Sequence, residues 1–163
     1  MKAVLSLKSI LIVFSYHHNN TQKIADVIAN VLEAQIKTPK QINPVELQEY
    51  SLIGFGSGIY SAKHHVQLLD LADRLPDVTK KKAFIFSTSA MVDKEKVAKD
   101  HSTLREILQS KGYMIVDEFA CKGFNTNSFM KYLGGMNKGR PNTVDLQHAE
   151  EFAQKLKQNL TKD

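Results

Sequence analysis

The sequence has no tryptophan and one cysteine, Cys121, so an intrachain disulfide framework and a Cys-rich zinc pattern are both excluded. Proline is scarce at four residues and glycine at eight, which excludes collagen-like and Pro/Gly-rich disordered chains. The longest apolar run, Ile10–Phe14, falls far short of the about 20 residues that a membrane-spanning helix needs. Met1–Lys8 has some secretory-leader character, but Lys8 interrupts it and no small-residue cleavage site precedes His17-His18. The chain therefore reads as cytoplasmic, with no membrane span. It also lacks the GxxxxGK[ST] of a nucleoside triphosphatase, and no GxGxxG follows its first apolar run.

What is present is an ordinary globular balance: 42% hydrophobic and 24% charged residues in 163. That length suits one domain, residues 1–163 with a core over about 9–160, burying about 70% of its unfolded surface. The net charge is +5, but the lysines are spread from Lys2 to Lys162, and the densest run is Lys80-Lys81-Lys82. No aromatic and basic residues interleave as an RNA-reading sheet requires, so nucleic acid is not an expected partner.

Short apolar runs alternate with amphipathic stretches. Ile10–Phe14 is rich in β-branched residues and reads as a strand buried on both faces. Ile24, Val27, Ile28, Val31 and Leu32 recur at helical spacing. Pro39 and Pro44 bracket a short second strand at Gln41–Val45, and Tyr50–Ser57 is a third. Leu68, Leu71, Ala72 and Leu75 stripe a helix that stops at Pro76. Ala83–Ser87 is a fourth strand. Leu104, Ile107 and Leu108 mark a helix ending at a Gly112 cap, and Tyr113–Ala120 is a fifth strand. Ala149, Phe152, Ala153, Leu156 and Leu160 stripe a last helix opened by Pro141-Asn142-Thr143. The alternation predicts an α/β fold: a doubly wound, five-stranded parallel sheet with helices on both faces. Such sheets bind ligands beyond the carboxyl ends of their strands, so the loops after strands 1, 3 and 4 are where function is sought. The stretch from Cys121 to Asn142, about 22 residues, exceeds ordinary loop length and reads as an ordered functional loop or lid.

Ser15-Tyr16-His17-His18-Asn19-Asn20-Thr21 is rich in hydroxyls and amides and opens a helix. Outward-pointing N–H groups and the helix dipole favour an anion there, a phosphate monoester among them. A plain capped turn is the other reading of the same residues. Gly54 and Gly56 lie inside a strand and signal tight helix–sheet packing, whereas Gly58 is a ligand-loop glycine. His17-His18 and His64-His65 have no carboxylate or thiolate at ligand spacing, so no metal is expected. His64-His65 reads as the exposed start of a helix, and His101 and His148 as surface helix residues. Cys121 reads as a small buried hydrophobe ending a strand.

The stretch ILIVFSYHHNNTQKIADVI resembles the phosphate-binding segment of the flavodoxin family, [ST]-x-T-G-N-T after an apolar strand. Ser15, Asn20 and Thr21 match its ends. The loop is one residue longer, with His17-His18 in place of a Thr, and Asn19 stands where Gly is usual; Asn tolerates the positive φ required. GFGSGIYSAKHH, FSTSAM, CKGFNT and GGMNKGRPN extend the resemblance over nearly the whole chain from Ser9. It implies the strand order 2-1-3-4-5 and an FMN cofactor. Ser15, His17, His18, Asn19, Asn20 and Thr21 would hold the phosphate. Ser57, Gly58, Ile59 and Tyr60 would form the first ring loop, with Tyr60 stacked on the flavin and Gly58 free to flip its peptide. Ser87, Thr88, Ser89, Ala90 and Met91 would form the second, meeting the pyrimidine edge. A Cys121 thiol beside the flavin is a rival to its burial. Phe124, Phe129, Tyr132 and Met136 would either cover the ring or pin the long loop as a satellite core.

The function so implied is electron transfer with a redox partner protein or a small-molecule donor or acceptor. The alternative is a flavin-dependent dehydrogenase acting on a quinone-coupled or porphyrinogen-type substrate, with the 121–142 loop receiving it; that loop follows the fifth strand rather than the fourth, which does not match the type. A signalling receiver on the same architecture would need an acidic cluster after strand 1 and an aspartate after strand 3. The chain has Ser15-Tyr16-His17 and Ser57-Gly58 there. Neither oligomeric state nor the identity of the redox partner is readable from the residues.

Overall fold

A computed structural model describes residues 8–16, 18–124 and 135–162. The elements run β1 (Ser9–Phe14), α1 (Asn20–Leu32), β2 (Gln35–Lys37), a 3-10 helix (Pro44–Glu49), β3 (Leu52–Tyr60), β4 (Lys63–His64), α2 (Val66–Asp73), β5 (Lys81–Ser89), α3 (Lys94–Ser110), β6 (Tyr113–Lys122) and α4 (Thr143–Thr161). The sheet order is β2-β1-β3-β5-β6, and β4 pairs antiparallel with β3 off that path. With the two-residue β4 set aside, the five parallel strands follow the expected 2-1-3-4-5. None of the described helices is long and apolar enough to cross a membrane.

Strand alternation divides the core. Ile10, Ile12, Ile53, Phe55 and Ile85 face one side, where α2 and α3 bring Leu68, Leu71, Leu104 and Leu108. Leu11, Val13, Leu52, Phe84 and Phe86 face the other, where α1 and α4 bring Ile24, Ile28, Ala149 and Phe152. Each fully buried Ile, Leu or Phe side chain contributes about 1.5–3 kcal/mol, so both faces of the sheet must be covered for the fold to hold.

The second strand is not at Gln41–Val45. Helix α1 stops on Glu33 at φ 53°, and the chain turns at once into β2, whose Ile36 packs against the α1/α4 side. Pro44 instead occupies the first turn of a 3-10 helix, where its missing N–H is no loss, and Asn43 caps it by accepting from Val45 N–H. Ile42 and Leu47 are buried by this turn rather than by a strand. Nor do Gly54 and Gly56 mark helix packing. A Cβ on Gly54 would lie 2.3 Å from the Phe84 ring and one on Gly56 would lie 2.2 Å from the Phe86 ring. Both glycines leave room for rings reaching over from the neighbouring strand β5.

Gly112 ends α3 as expected, at φ 98°, and a Cβ there would come 1.7 Å from the Val78 carbonyl oxygen. At the sheet edge, β6 carries a bulge at Val116: Ala83 pairs with Ile115 and Phe84 with Asp117. Met114 and Val116 are exposed there, and the bulge makes this edge a poor template for a further strand. A groove of about 690 Å³ beside them, reaching Gln109, Asn159 and Lys162, lies at the amino end of β6. The opposite, carboxyl ends of the strands align: Phe14 pairs with Ser57, Ser57 with Ser87, and Ser87 with Ala120. The chain departs to opposite sides from β1 and β3, which opens a crevice above those two strands.

Candidate functional site

The first wall of the crevice is the turn from β1 into α1. Asn19 sits at φ 56°, as its replacement of glycine required, and its side chain makes no cap bond. By contrast His65, Asp93 and Asn142 cap α2, α3 and α4 with their own side chains. At α1, Ser15 Oγ accepts from Gln22 N–H at 3.2 Å, which leaves the Ser15 hydroxyl proton to donate elsewhere. The N–H groups of Asn20 and Thr21 open the helix and have no intrahelical acceptor by helix geometry. The first turn contains no acidic residue. Thr21 is 2% exposed, and its hydroxyl meets that of Thr88 at 2.9 Å. One proton of that pair is engaged and one is left over. Asn20 Nδ2 donates to the Phe124 carbonyl at 2.8 Å, and Asn20 Oδ1 is buried without a partner. The His18 ring lies 4.2 Å from that of Phe124. His17 lies outside the described residues.

The second wall is the end of β3. Residues Ser57–Tyr60 are strand rather than loop, and Ser61 and Ala62, at φ 50° and 60°, form a two-residue hairpin into β4. Ser57 is fully buried; its hydroxyl accepts from His65 N–H at 2.9 Å and donates to the Gly58 carbonyl at 2.7 Å. It is therefore turned inward. Gly58 is not in the left-handed region; a Cβ there would come 3.3 Å from the Tyr60 ring, so the glycine makes room for that ring. Ile59 pairs with His64. Tyr60 stands edge-on to His65 at 5.2 Å, and His65 stacks on Phe14 at 3.7 Å and 14°. Burial, with Tyr16 beside it, raises the Tyr60 phenol above its ordinary pKa. Tyr16 itself is 59% exposed.

The third wall is the end of β5. Ser87 and Thr88 are buried, Ser89 Oγ donates to the Met91 carbonyl at 2.7 Å, and Met91 is 57% exposed. Ala90's carbonyl accepts from Asn137 Nδ2. Beneath them, Ser87 Oγ meets His101 Nε2 at 2.7 Å, His101 Nδ1 meets Glu118 at 2.9 Å, and Arg105 grips Glu118 through Nε and Nη2. A carboxylate only accepts, so Nδ1 carries a proton and donates it to Glu118. The order is that of a nucleophile relay, but Ser87 is buried, and the chain ties β5, α3 and β6 together as a strut. Burial alone would raise the Glu118 pKa; the hydrogen bonds from His101 and Arg105 outweigh it and hold the group down at about 2.

Two histidines differ from expectation. His64 is 2% exposed and His101 fully buried, their rings 4.9 Å apart, where both were read as exposed. The hairpin turns His64 inward to meet the Phe86 carbonyl, and α3 lays His101 over it. Burial, then His101, lowers the His64 pKa to about 3. His148 is exposed as expected. Among the described residues no cluster of metal-binding side chains occurs.

Cys121 is buried, and burial pushes its thiol up to about 12, so it cannot serve as a thiolate at neutral pH. Iodoacetamide should label the native protein far more slowly than the urea-unfolded chain; equal rates would put the thiol at the surface. Phe124 packs on His18 and Met136 is half-buried, whereas Phe129 and Tyr132 lie outside the described residues. Sequence reasoning did not find the Phe14–His65 stack or Asn137. No local pattern signals either, because the partners are distant in the chain.

A family model for the flavodoxin domain matches residues 11–129. An uncharacterised protein of Methanocaldococcus jannaschii is 42% identical over 153 residues, which are 94% of this chain and 100% of that protein. Oxidised flavodoxin 2 from Bacillus cereus shares the fold with a TM-score of 0.67 at 17% identity, over 90% of this chain and 94% of that one. Fusobacterium nucleatum flavodoxin bound to flavin mononucleotide gives 0.63 at 15% identity, over 93% and 98%.

Proposed function

The chain belongs to the flavodoxin family, and from that premise we propose that it binds FMN above β1 and β3 and passes electrons between redox partners. The observation that carries the reading is the open start of α1. Donors without acceptors converge there: the Asn20 and Thr21 N–H groups, the Ser15 hydroxyl and the spare proton of the Thr21–Thr88 pair. A phosphate monoester supplies acceptors to all of them, and the helix dipole adds about 0.3–1 kcal/mol. Asn20 Oδ1, buried and unpartnered, suits a donor, so it faces a ribityl hydroxyl better than a phosphate oxygen. Tyr60, Tyr16 and Met91 offer half-exposed or exposed apolar faces to the ring. His65 and Phe14 hold Tyr60 in place from behind.

Bound FMN supplies reversible electron transfer at its ring. The protein's part is to hold the phosphate, back the ring and set the surrounding charge. Negative charge added to a bound ring would be opposed by the phosphate, by roughly 1.7 kcal/mol per unit charge for a separation of about 10 Å at an effective dielectric near 20. The net charge of +5 partly offsets this, and a partner guided by electrostatics presents an acidic face.

The test begins with the absorption spectrum. The purified protein should carry flavin bands and release FMN rather than FAD on denaturation. FMN should bind at least ~100-fold tighter than riboflavin, the worth of two charge-assisted hydrogen bonds. Thr21→Val should narrow that gap about tenfold; equal loss for both flavins would place the phosphate elsewhere. A colourless protein that takes up no added FMN would remove the reading. Turnover of a porphyrinogen or quinol by the holoprotein would support a dehydrogenase instead of a carrier.

A further inference from the structure

The ends of the segment after β6 bind to both ring-side and phosphate-side residues. Gly123 N–H donates to the Ser89 carbonyl at 2.9 Å, one residue beyond the end of β6. Phe124 N–H donates to the Arg140 carbonyl at 2.9 Å, which brings the returning limb alongside. From that limb Asn137 reaches across: its Nδ2 lies 2.6 Å from the Ala90 oxygen and 3.4 Å from the Gly123 oxygen. Asn137 holds φ 60°, and Arg140 N–H closes the turn on its carbonyl at 3.0 Å. Arg140 in turn pairs with Asp145, whose carboxylate also receives Asn142 N–H, so the limb is pinned to the first turn of α4.

Ala90 and Met91 form the tip of the loop after β5. A flavin's pyrimidine edge carries acceptors at N1, O2 and O4 and a single donor at N3, and reduction adds negative charge at N1 and O2. A free peptide oxygen at Ala90 would repel most of that edge. Asn137 engages this oxygen at 2.6 Å, which leaves the loop's N–H groups to be presented.

We propose that Asn137 is a positioning residue for the ring end of the cofactor site: through the Ala90 carbonyl it sets the loop after β5 as a donor surface for the pyrimidine edge. The proposal rests on the FMN reading above and deepens it by naming the residue that orients this edge. Two features separate its effect from general support of the fold. It acts on the ring and not on the phosphate, and it acts more on reduced than on oxidised FMN.

The experiment uses the full chain and two substitutions. Asn137→Gly removes the amide while keeping the backbone free at positive φ, and Asn137→Asp keeps the shape but sets a carboxylate against two carbonyl oxygens. FMN and riboflavin are titrated into each apoprotein by fluorescence quenching, and the midpoint potential of bound FMN is measured. Hydrogen exchange at the amides of residues 89–91 is followed in the apoproteins, which needs no flavin. The Gly variant should weaken both flavins by the same factor, about tenfold. The Asp variant should weaken both further. The potential should fall in both, and exchange at 89–91 should rise in both. Loss confined to FMN, affinities equal to wild type, or an unchanged potential of bound FMN would each overturn the proposal. Wild-type protein that takes up neither flavin overturns the FMN reading and this proposal with it. Wild-type binding with unaffected variants overturns this proposal alone. Circular dichroism establishes that each variant folds; should the Gly variant not fold, the Asp variant decides by the same measurements, and the loss of folding in both would assign Asn137 to the fold and overturn its role at the ring.

Discussion

Gly56→Ala should destabilise the protein by about 3 kcal/mol, the upper end of what overpacking a filled core costs. The added methyl would lie 2.2 Å from the Phe86 ring, which is itself fully buried and packed 6.0 Å from Phe84. Phe86 is tightly flanked: Phe84 lies beside it, and Phe84 is itself packed edge-on against Phe152. The strain has a functional reach as well. Gly56 precedes Ser57, and Phe86 precedes Ser87, so a shift between β3 and β5 displaces the carboxyl ends of both strands. Denaturant unfolding checks the stability. Phe86→Leu makes room for the methyl, so the double substitution should cost at least about 1 kcal/mol less than the sum of the singles. Strict additivity would show that the ring and the glycine do not share one space.

The second large effect is acid sensitivity. His64 is neutral in the folded protein down to about pH 3, whereas in the unfolded chain it titrates near 6.5. Between those values the unfolded state binds more protons, so stability is complete above about pH 6.5 and falls as the pH drops toward 3. The slope is up to about 1.4 kcal/mol per pH unit. His65, lowered by burial, adds in the same direction. Glu118, held down at about 2 from 4.5, adds its own loss only below about pH 4.5. Urea unfolding at pH 7, 6 and 5.5 should therefore show a decline that steepens as the pH falls, before Glu118 contributes. His64→Gln keeps an amide donor for the Phe86 carbonyl and cannot ionise, so it should flatten most of that decline. Parallel profiles for the variant and the wild type would show that His64 is not the group responsible.

How much of this was legible in the residues follows from how far each feature reaches along the chain. β1, the stripe of α1, the Gly112 cap and the Asn142 start of α4 are set by neighbours within a few positions, and all are where the periodicity places them. The positive φ at Asn19 was legible too, because only a few residue types tolerate it. Gln41–Val45 misled because two prolines and two apolar residues fit a short strand as well as a 3-10 turn. The choice was made by α1 ending at Glu33 and the chain pairing at once with β1. Gly54 and Gly56 were read as packing against a helix, whereas the rings that approach them belong to the neighbouring strand, thirty positions on.

The candidate site divides in the same way. Ser15 to Thr21 is one local turn, so its consecutive hydroxyls and amides and the helix start that follows them could all be read from the residues. Ser57 and Ser87 have the same residue type, yet the tertiary structure turns both hydroxyls inward, one to His65 and one to His101. The burial of His64 and His101 arises where a two-residue hairpin meets α3, a helix that begins 30 positions further along the chain. Asn137 reaches Ala90 across 47 positions. The α/β class, the order of the parallel strands and the positive φ at Asn19 could be read from the residues alone, because they depend on periodicity and backbone torsion. Which polar groups face the crevice and which are used up holding it was settled by packing, because a hydrogen bond goes to whichever partner comes within about 3 Å, and no spacing along the chain encodes that.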